Sequence, residues 1–406
     1  MATLWEERYA ERMEGMKSSV IRELLKIAML PDIISFAGGL PAPELFPVRD
    51  FEEACRHVLR EKGHIALQYG PSEGFPPLVE WLCEKMNKYG VPAEPHNVIV
   101  TCGSQQALDL IGKVFIDPGD VVLVEKPTYV GAIQAWNAYQ CRFATVPIDD
   151  DGMRVDLLEE AIVKHKPKFM YVLPNFQNPA GTTLPLERRE QLIAIADQYG
   201  VPIVEDDPYG ELRFEGEDIT PIITLHRDNT LYLGTFSKTL SPGLRIGWIV
   251  GPKHVIRRIV QAKQGADLHT GTFVQMLAHD ICSRSLLKGH IATIRDTYRE
   301  RRDVMLAALE RYAPEGVTWT RPQGGLFLWA RMPEGFSCQD LMDEAIKQKV
   351  AFVPGSAFYV DGSGENTMRL NFSNAKPEMI EEGIKRLCTA MRQFMEYDTD
   401  TEAPLI

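Results

Sequence analysis

From residue 97 to 250, short β-rich runs alternate with helical stretches, and no other feature of the 406-residue chain limits its fold as tightly. "NVIVT" precedes "QQALDLIGKVF", "DVVLVE" precedes "YVGAIQAWNAY", and "FMYVLP" precedes "PLERREQLIAIADQYG"; "VPIVED", "TLYLGTF" and "RIGWIVG" follow. Strands joined through helices run parallel, so the pattern predicts an α/β fold with a mainly parallel sheet covered by helices on both faces. Ligands of such sheets gather at the carboxyl ends of the strands, where this sequence keeps its polar clusters.

The flanks differ. Residues 17–30, "KSSVIRELLKIAML", carry apolar residues at helical spacing up to Pro31 and predict an amphipathic helix. The Gly- and Pro-rich "SFAGGLPAPELFP" predicts an irregular extended segment. Long helices are expected over 253–312. From about 316 a smaller α+β unit follows, with helices near 338–348 and 377–396 and a loose tail "YDTDTEAPLI". The expected division is an N-terminal arm and helix (1–50) packing with the small unit, a large ligand-binding unit (51–295) and a small C-terminal α+β unit (296–406). Neither repeats nor low-complexity linkers interrupt it, so the units should share an extensive interface.

A net charge of −12 and a pI near 5.4 argue against nucleic acid or an anionic membrane as partner and leave small molecules. Seven cysteines, odd in number and without a C-x-x-C pair, fit reduced thiols. The N-terminal "MATLWEERYAERMEGMKSS" lacks the continuous apolar core of a signal peptide or anchor, and the expected location is the cytoplasm.

Lys238, in "GTFSKTLSPGLRIGW", lies inside what reads as a buried β segment, and a desolvated lysine costs free energy unless something uses it. With its ammonium destabilised, such a lysine forms a Schiff base with a carbonyl. "TCGSQQAL" presents Gly103, Ser104 and Gln105 at a helix start, where free N–H groups suit either a phosphate or an ordinary cap. "PNFQNPAG", with Asn178, reads equally as a plain turn. In "VEDDPYGEL", Glu205, Asp206 and Asp207 close an apolar strand; they form either a solvent-exposed acidic turn or a site for a cation or protonated base. A buried amine, a strand-end carboxylate, an asparagine and a phosphate cradle together describe pyridoxal phosphate. Metal and nicotinamide chemistry fit poorly, since H-E-x-x-H and a strand followed by G-x-G-x-x-G are both missing.

In order, "ISFAGGLPAPELFP", "ALQYGPSEGFPPL", "TCGSQQALDL", "PNFQNPAGTTL", "EDDPYGEL" and "TFSKTLSPGLRIGW" resemble the fold-type I pyridoxal phosphate aminotransferases. Within them they are most similar to the branch of 2-aminoadipate and kynurenine/aminoadipate aminotransferases, over about residues 15–395. The resemblance implies a large domain with a mainly parallel seven-stranded sheet and a smaller α+β domain. It implies that Lys238 binds the cofactor covalently and then moves the substrate's α-proton, and that Asp206 keeps the ring nitrogen protonated. Asn178 and Tyr209 would bond the ring hydroxyl, and Tyr129 would stack on the ring. Gly103, Ser104, Gln105, Thr235, Ser237 and Arg245 would surround the phosphate, with Tyr69 reaching across from a neighbouring subunit of a homodimer. Thr235 stands where relatives often carry Ser, and it keeps the hydroxyl.

For substrate, Arg369 matches the arginine that grips the α-carboxylate, a task suited to a planar fork; read alone it would be a surface ion pair. Asn178 and Gly39 match neighbouring positions. Arg22 matches a position that meets distal carboxylates, and reads equally as a helix-surface arginine. The implied activity is ping-pong transfer of an amino group between an L-amino acid (2-aminoadipate, aromatic or branched aliphatic) and 2-oxoglutarate. Two rivals stand beside it, a pyridoxal phosphate lyase on the same fold and a ligand-sensing domain of the kind fused to DNA-binding regulators.

Overall fold

The computed structural model describes residues 4–16 and 32–401, so the helix expected at 17–30 and Arg22 lie outside the described residues. Among the described residues, fourteen strands form three sheets. In chain order they are β1 (Ile34–Ser35), β2 (Val98–Thr101), β3 (Val121–Lys126), β4 (Arg142–Asp149), β5 (Gly152–Met153), β6 (Phe169–Val172), β7 (Ile203–Asp206), β8 (Thr230–Thr235), β9 (Gly247–Val250), β10 (Thr318–Trp319), β11 (Phe327–Arg331), β12 (Val350–Ala351), β13 (Val353–Pro354) and β14 (Thr367–Asn371).

The main sheet runs β2-β9-β8-β7-β6-β3-β4-β5. Strands β8, β7, β6, β3 and β4 are mutually parallel, and β9 lies antiparallel between β2 and β8. Every residue of β2, β6, β7, β8 and β9 is buried, as expected for strands covered on both faces. Where seven strands were expected there are eight. The "DDG" at 150–152 turns the chain back on β4, with Gly152 at φ +83°, and adds the two-residue β5 antiparallel at the edge. Strand β4 itself was not anticipated. Its burial alternates and it contains Pro147, so it lacks the continuous apolar signature of its neighbours.

Apolar helical faces seal the sheet. Leu108, Ile111 and Trp136 pack with Val122, Tyr171 and Ile249 on one face, and Leu158, Ile162 and Leu192 with Leu123, Met170 and Ile203 on the other. The second sheet, β10-β11-β14-β13, is antiparallel. Its apolar cluster includes Leu328 and Phe372 together with Phe176, Tyr209 and Leu212 from loops of the main sheet, so the cores are continuous there. Helix Leu286–Tyr312 runs unbroken through residue 295, where the sequence analysis drew a boundary. The arm after residue 32 joins the smaller sheet's side: β1 pairs with β12, and the Ala42 N–H donates to Tyr298 Oη at 3.0 Å. The last helix, Pro377–Thr401, continues past the expected end at 396 into the tail, where no Gly or Pro intervenes before Pro404.

Candidate active site

The carboxyl ends of β2, β3, β6, β7 and β8 and the start of antiparallel β9 open onto one cavity of about 400 Å³. It is lined by Gly39, Ser104, Gln105, Tyr129, Asn178, Asp206, Tyr209, Thr235, Ser237, Lys238, Arg245 and Arg369, twelve of the fifteen residues singled out from sequence. Gly103 adjoins it. Tyr69 does not line it and is 78 % exposed. Arg22 lies outside the described residues.

Lys238 follows β8. Burial first, then the Arg369 and Arg245 guanidinium groups, hold its amine down to about 8, so a substantial neutral fraction exists near physiological pH. Its Nζ donates to the Gly39 carbonyl at 2.8 Å, which anchors the amine to the N-terminal arm.

The three successive carboxylates at the end of β7 are neither an exposed turn nor one cluster. Strand alternation turns Glu205 away, where it accepts the Ile222 and Ile223 N–H groups at 2.8 and 2.9 Å and caps a short helix. Asp207 accepts from Asn175 Nδ2, Tyr232 Oη and the Gly210 N–H. Asp206 faces the cavity with one satisfied oxygen, Oδ2, which accepts from Tyr171 Oη at 2.7 Å. Its Oδ1 is buried without a partner among the described residues. Burial pushes this carboxyl up to about 7, against the Tyr171 bond and helped by the charge of Asp207. A buried oxygen left unpaired costs about 1–3 kcal/mol, which a donor bound in the cavity would offset.

The opposite wall is an anion cradle. Helix Ser104–Phe115 begins there after Gly103 at φ +75°. A Cβ on Gly103 would lie 2.5 Å from Arg245 Nη2, so only glycine lets the guanidinium cover the turn. Arg245 itself takes a left-handed backbone (φ +53°), uncommon for a side chain of its size, and its Nη2 donates to the Cys102 carbonyl at 3.4 Å. Thr235 Oγ1 bonds Ser237 Oγ at 2.9 Å and the Ile246 carbonyl at 3.1 Å. Gln105 Nε2 donates to the Gly131 carbonyl at 2.8 Å, tying the cradle to the helix Val130–Asn137 that Tyr129 precedes.

At the third side Arg369, on β14, donates through Nη1 to Asn178 Oδ1 (2.9 Å) and through Nη2 to the Ala37 carbonyl (2.8 Å). Its Nε has no partner among the described residues, and it is buried rather than a surface ion pair. Burial lowers it only to about 10, leaving it cationic. Asn178 Nδ2 also donates to Tyr209 Oη at 3.4 Å.

Sequence reasoning missed Tyr171, the donor to Asp206, and Phe327, whose ring lies 4.2 Å from the Arg369 guanidinium carbon. Both are buried aromatics in apolar runs and read as core. The Gly324–Gly325 pair just before Phe327, with Gly325 at φ +72°, was the one available signal of a close approach.

Such a sheet, delivering a softened amine, a half-satisfied carboxylate and an anion cradle to one mouth, defines a fold-type I aminotransferase. The chain belongs to that class: residues 37–387 match the model of the class I and II aminotransferases. It is similar to aromatic-amino-acid aminotransferase 1 of Thermococcus litoralis, 48 % identical over 402 residues, 97 % of this chain and 96 % of the relative. Among solved structures it resembles the α-aminoadipate aminotransferase of Thermus thermophilus complexed with N-(5'-phosphopyridoxyl)-L-leucine, at 43 % identity and a TM-score of 0.92 over 97 % of this chain and 100 % of that one. It also resembles the kynurenine aminotransferase of Pyrococcus horikoshii, at 45 % identity and a TM-score of 0.93 over 96 % and 98 %. The family implies pyridoxal phosphate, and the residues present fit it: Asp206 Oδ1 lacks a donor among the described residues, Lys238 offers a partly buried amine held down to about 8, and the Gly103 turn leaves no room for a Cβ beneath Arg245. Among the described residues, no helix is long and apolar enough to cross a membrane.

Proposed function

We propose that this aminotransferase moves an amino group from an L-amino acid to 2-oxoglutarate in two half-reactions, with a broad choice of donor among 2-aminoadipate, aromatic and branched aliphatic amino acids. The observation that carries the reading is the meeting, in one cavity, of the Lys238 amine at about 8 and an Asp206 oxygen that has no partner among the described residues. Bound pyridoxal phosphate would supply an electron-withdrawing ring and a carbon that stores the amino group. Lys238 would hold the cofactor through its amine and, with that amine free, would carry the proton between the substrate's α-carbon and the cofactor. Asp206 would hold a proton on the ring nitrogen, Asn178 and Tyr209 would bond the ring hydroxyl, and Tyr129 would cover the ring face. Ser104, Gln105, Thr235, Ser237 and Arg245 would hold the phosphate. Arg369 and Asn178, beside Gly39, receive the α-carboxylate. Tyr69 completes the phosphate site of a second copy in a homodimer. The names of the relatives, which refer to aromatic amino acids, aminoadipate and kynurenine, support the breadth of donors.

The test is the visible spectrum of the cofactor-loaded protein. Absorbance should bleach with glutamate and return with 2-oxoglutarate, and Lys238→Ala should fold yet lose at least about 10³-fold in turnover. A Lys238→Ala protein of wild-type activity would overturn the assignment, and ammonia plus an oxo acid from substrate alone would identify a lyase.

A further inference from the structure

Behind the turn at 101–104 lies a polar knot whose members do not line the cavity. Lys263, on helix Lys253–Gln264, is 0 % exposed. Its Nζ donates to both oxygens of Asp267 (2.9 and 2.8 Å) and to Gln106 Oε1 (2.7 Å). Gln106 Oε1 also accepts the Cys102 backbone N–H at 2.8 Å, and Gln106 Nε2 donates to Asp267 Oδ2 at 2.7 Å. Cys102 Sγ reaches the same carboxylate oxygen at 3.3 Å, and the Cys102 carbonyl accepts from Arg245. Hydrogen bonds joined through the backbone of Cys102 thus lead from a buried ammonium to Arg245 and the first peptides of the anion cradle.

A lysine and an aspartate four residues apart at a helix end are ordinarily a helix staple. Such a staple does not require full burial, nor a glutamine from another helix. Here the ammonium fixes which way Gln106 points, and Gln106 in turn fixes the Thr101–Cys102 peptide through its N–H, one residue ahead of the Cys102 carbonyl that Arg245 bonds. Without Nζ, the Asp267 carboxylate, 28 % exposed, is free to turn to water and draw Gln106 with it.

We infer that Lys263 is a positioning residue for the phosphate-binding turn: through Gln106 it holds the Cys102 peptide, and with it the Ser104 and Gln105 N–H groups and Arg245, in register for a phosphate monoester. This rests on the cofactor reading above. The test compares the affinity of the cofactor-stripped full chain for pyridoxal phosphate and for pyridoxal, which lacks the phosphate. Lys263→Met removes the ammonium and keeps the unbranched stem. Pyridoxal phosphate affinity should fall about tenfold or more, the scale of one charge-assisted hydrogen bond, while pyridoxal affinity stays within about twofold. If Lys263→Met does not fold, Asp267→Asn, isosteric and partly exposed, carries the same comparison. Equal losses for both ligands, or no loss for either, would overturn the inference while leaving the cofactor assignment standing. A wild-type chain that does not prefer pyridoxal phosphate over pyridoxal would remove the cradle itself, and the inference with it.

Discussion

Asp206 sits in the fold at a cost. Its carboxyl, near 7 in the folded chain, would titrate near 3.8 when unfolded, so between these values the folded state binds more protons. The stability of the cofactor-free chain should therefore fall as pH rises from about 4 to 7 on account of this group. Asp206→Asn removes the buried charge and keeps the shape. At pH 8 it should raise the cofactor-free melting temperature by about 5 °C, a gain that shrinks as pH drops toward 4, while transamination falls at least about 10²-fold. Thermal scans at several pH values check this; a variant that melts lower than wild type at pH 8 would show the carboxylate to be well satisfied. Arg369 makes the complementary case. Its two terminal nitrogens are held by Asn178 and Ala37, and its guanidinium lies on Phe327, an arrangement an ammonium does not reproduce. Arg369→Lys should raise KM for the amino acid about 10–100-fold with a smaller effect on kcat, seen in steady-state kinetics; an unchanged KM would remove the α-carboxylate from this residue.

At the level of elements, the antiparallel strand β9 fixes how close the cradle comes to the sheet. A Cβ on Gly247 would lie 2.7 Å from both the Gly103 carbonyl carbon and the Ser104 nitrogen, and these are backbone atoms that cannot rotate away. Gly247→Ala should displace the start of helix Ser104–Phe115 and weaken cofactor binding about tenfold or more, measured by equilibrium titration. Wild-type affinity would show that the helix start has slack. The close approach was not legible in "RIGWIVG", because glycine in a strand has several causes. Strands β2, β3, β6, β7, β8 and β9 were legible, since burial on both faces leaves continuous apolar runs. Strand β4, next to the edge, was not, with its alternating burial and Pro147, nor were two-residue strands that owe their existence to pairing. The site followed the same rule. Polar residues at strand ends declared themselves, whereas Tyr171 and Phe327 sit in apolar runs like any core aromatic, and Lys263, one of several lysines and arginines along its helix, is set apart by its burial alone.

For the whole molecule, the proposed site draws on two chains. Tyr69 is 78 % exposed, its ring edge-on to His269 at 5.7 Å, and nearby in the chain Leu67 and Leu268 are 76 % and 55 % exposed. Apolar side chains this open fit a surface that a second copy covers. If Tyr69 serves the partner's phosphate, its defect and a Lys238 defect fall in different sites of a mixed dimer. A subunit carrying Tyr69→Ala spoils the neighbouring site, and a Lys238→Ala subunit spoils its own. In a dimer of one of each, both lesions therefore land in one site and the other is intact. Random reassortment of equal amounts makes about half of all dimers mixed, so activity should return to about one quarter of wild type from two nearly inactive parents. If Tyr69 serves its own chain, every site in the mixture carries one lesion and activity stays at the parental level. Unfolding is not needed for the experiment, only subunit exchange, which tagged copies and co-purification verify independently of catalysis.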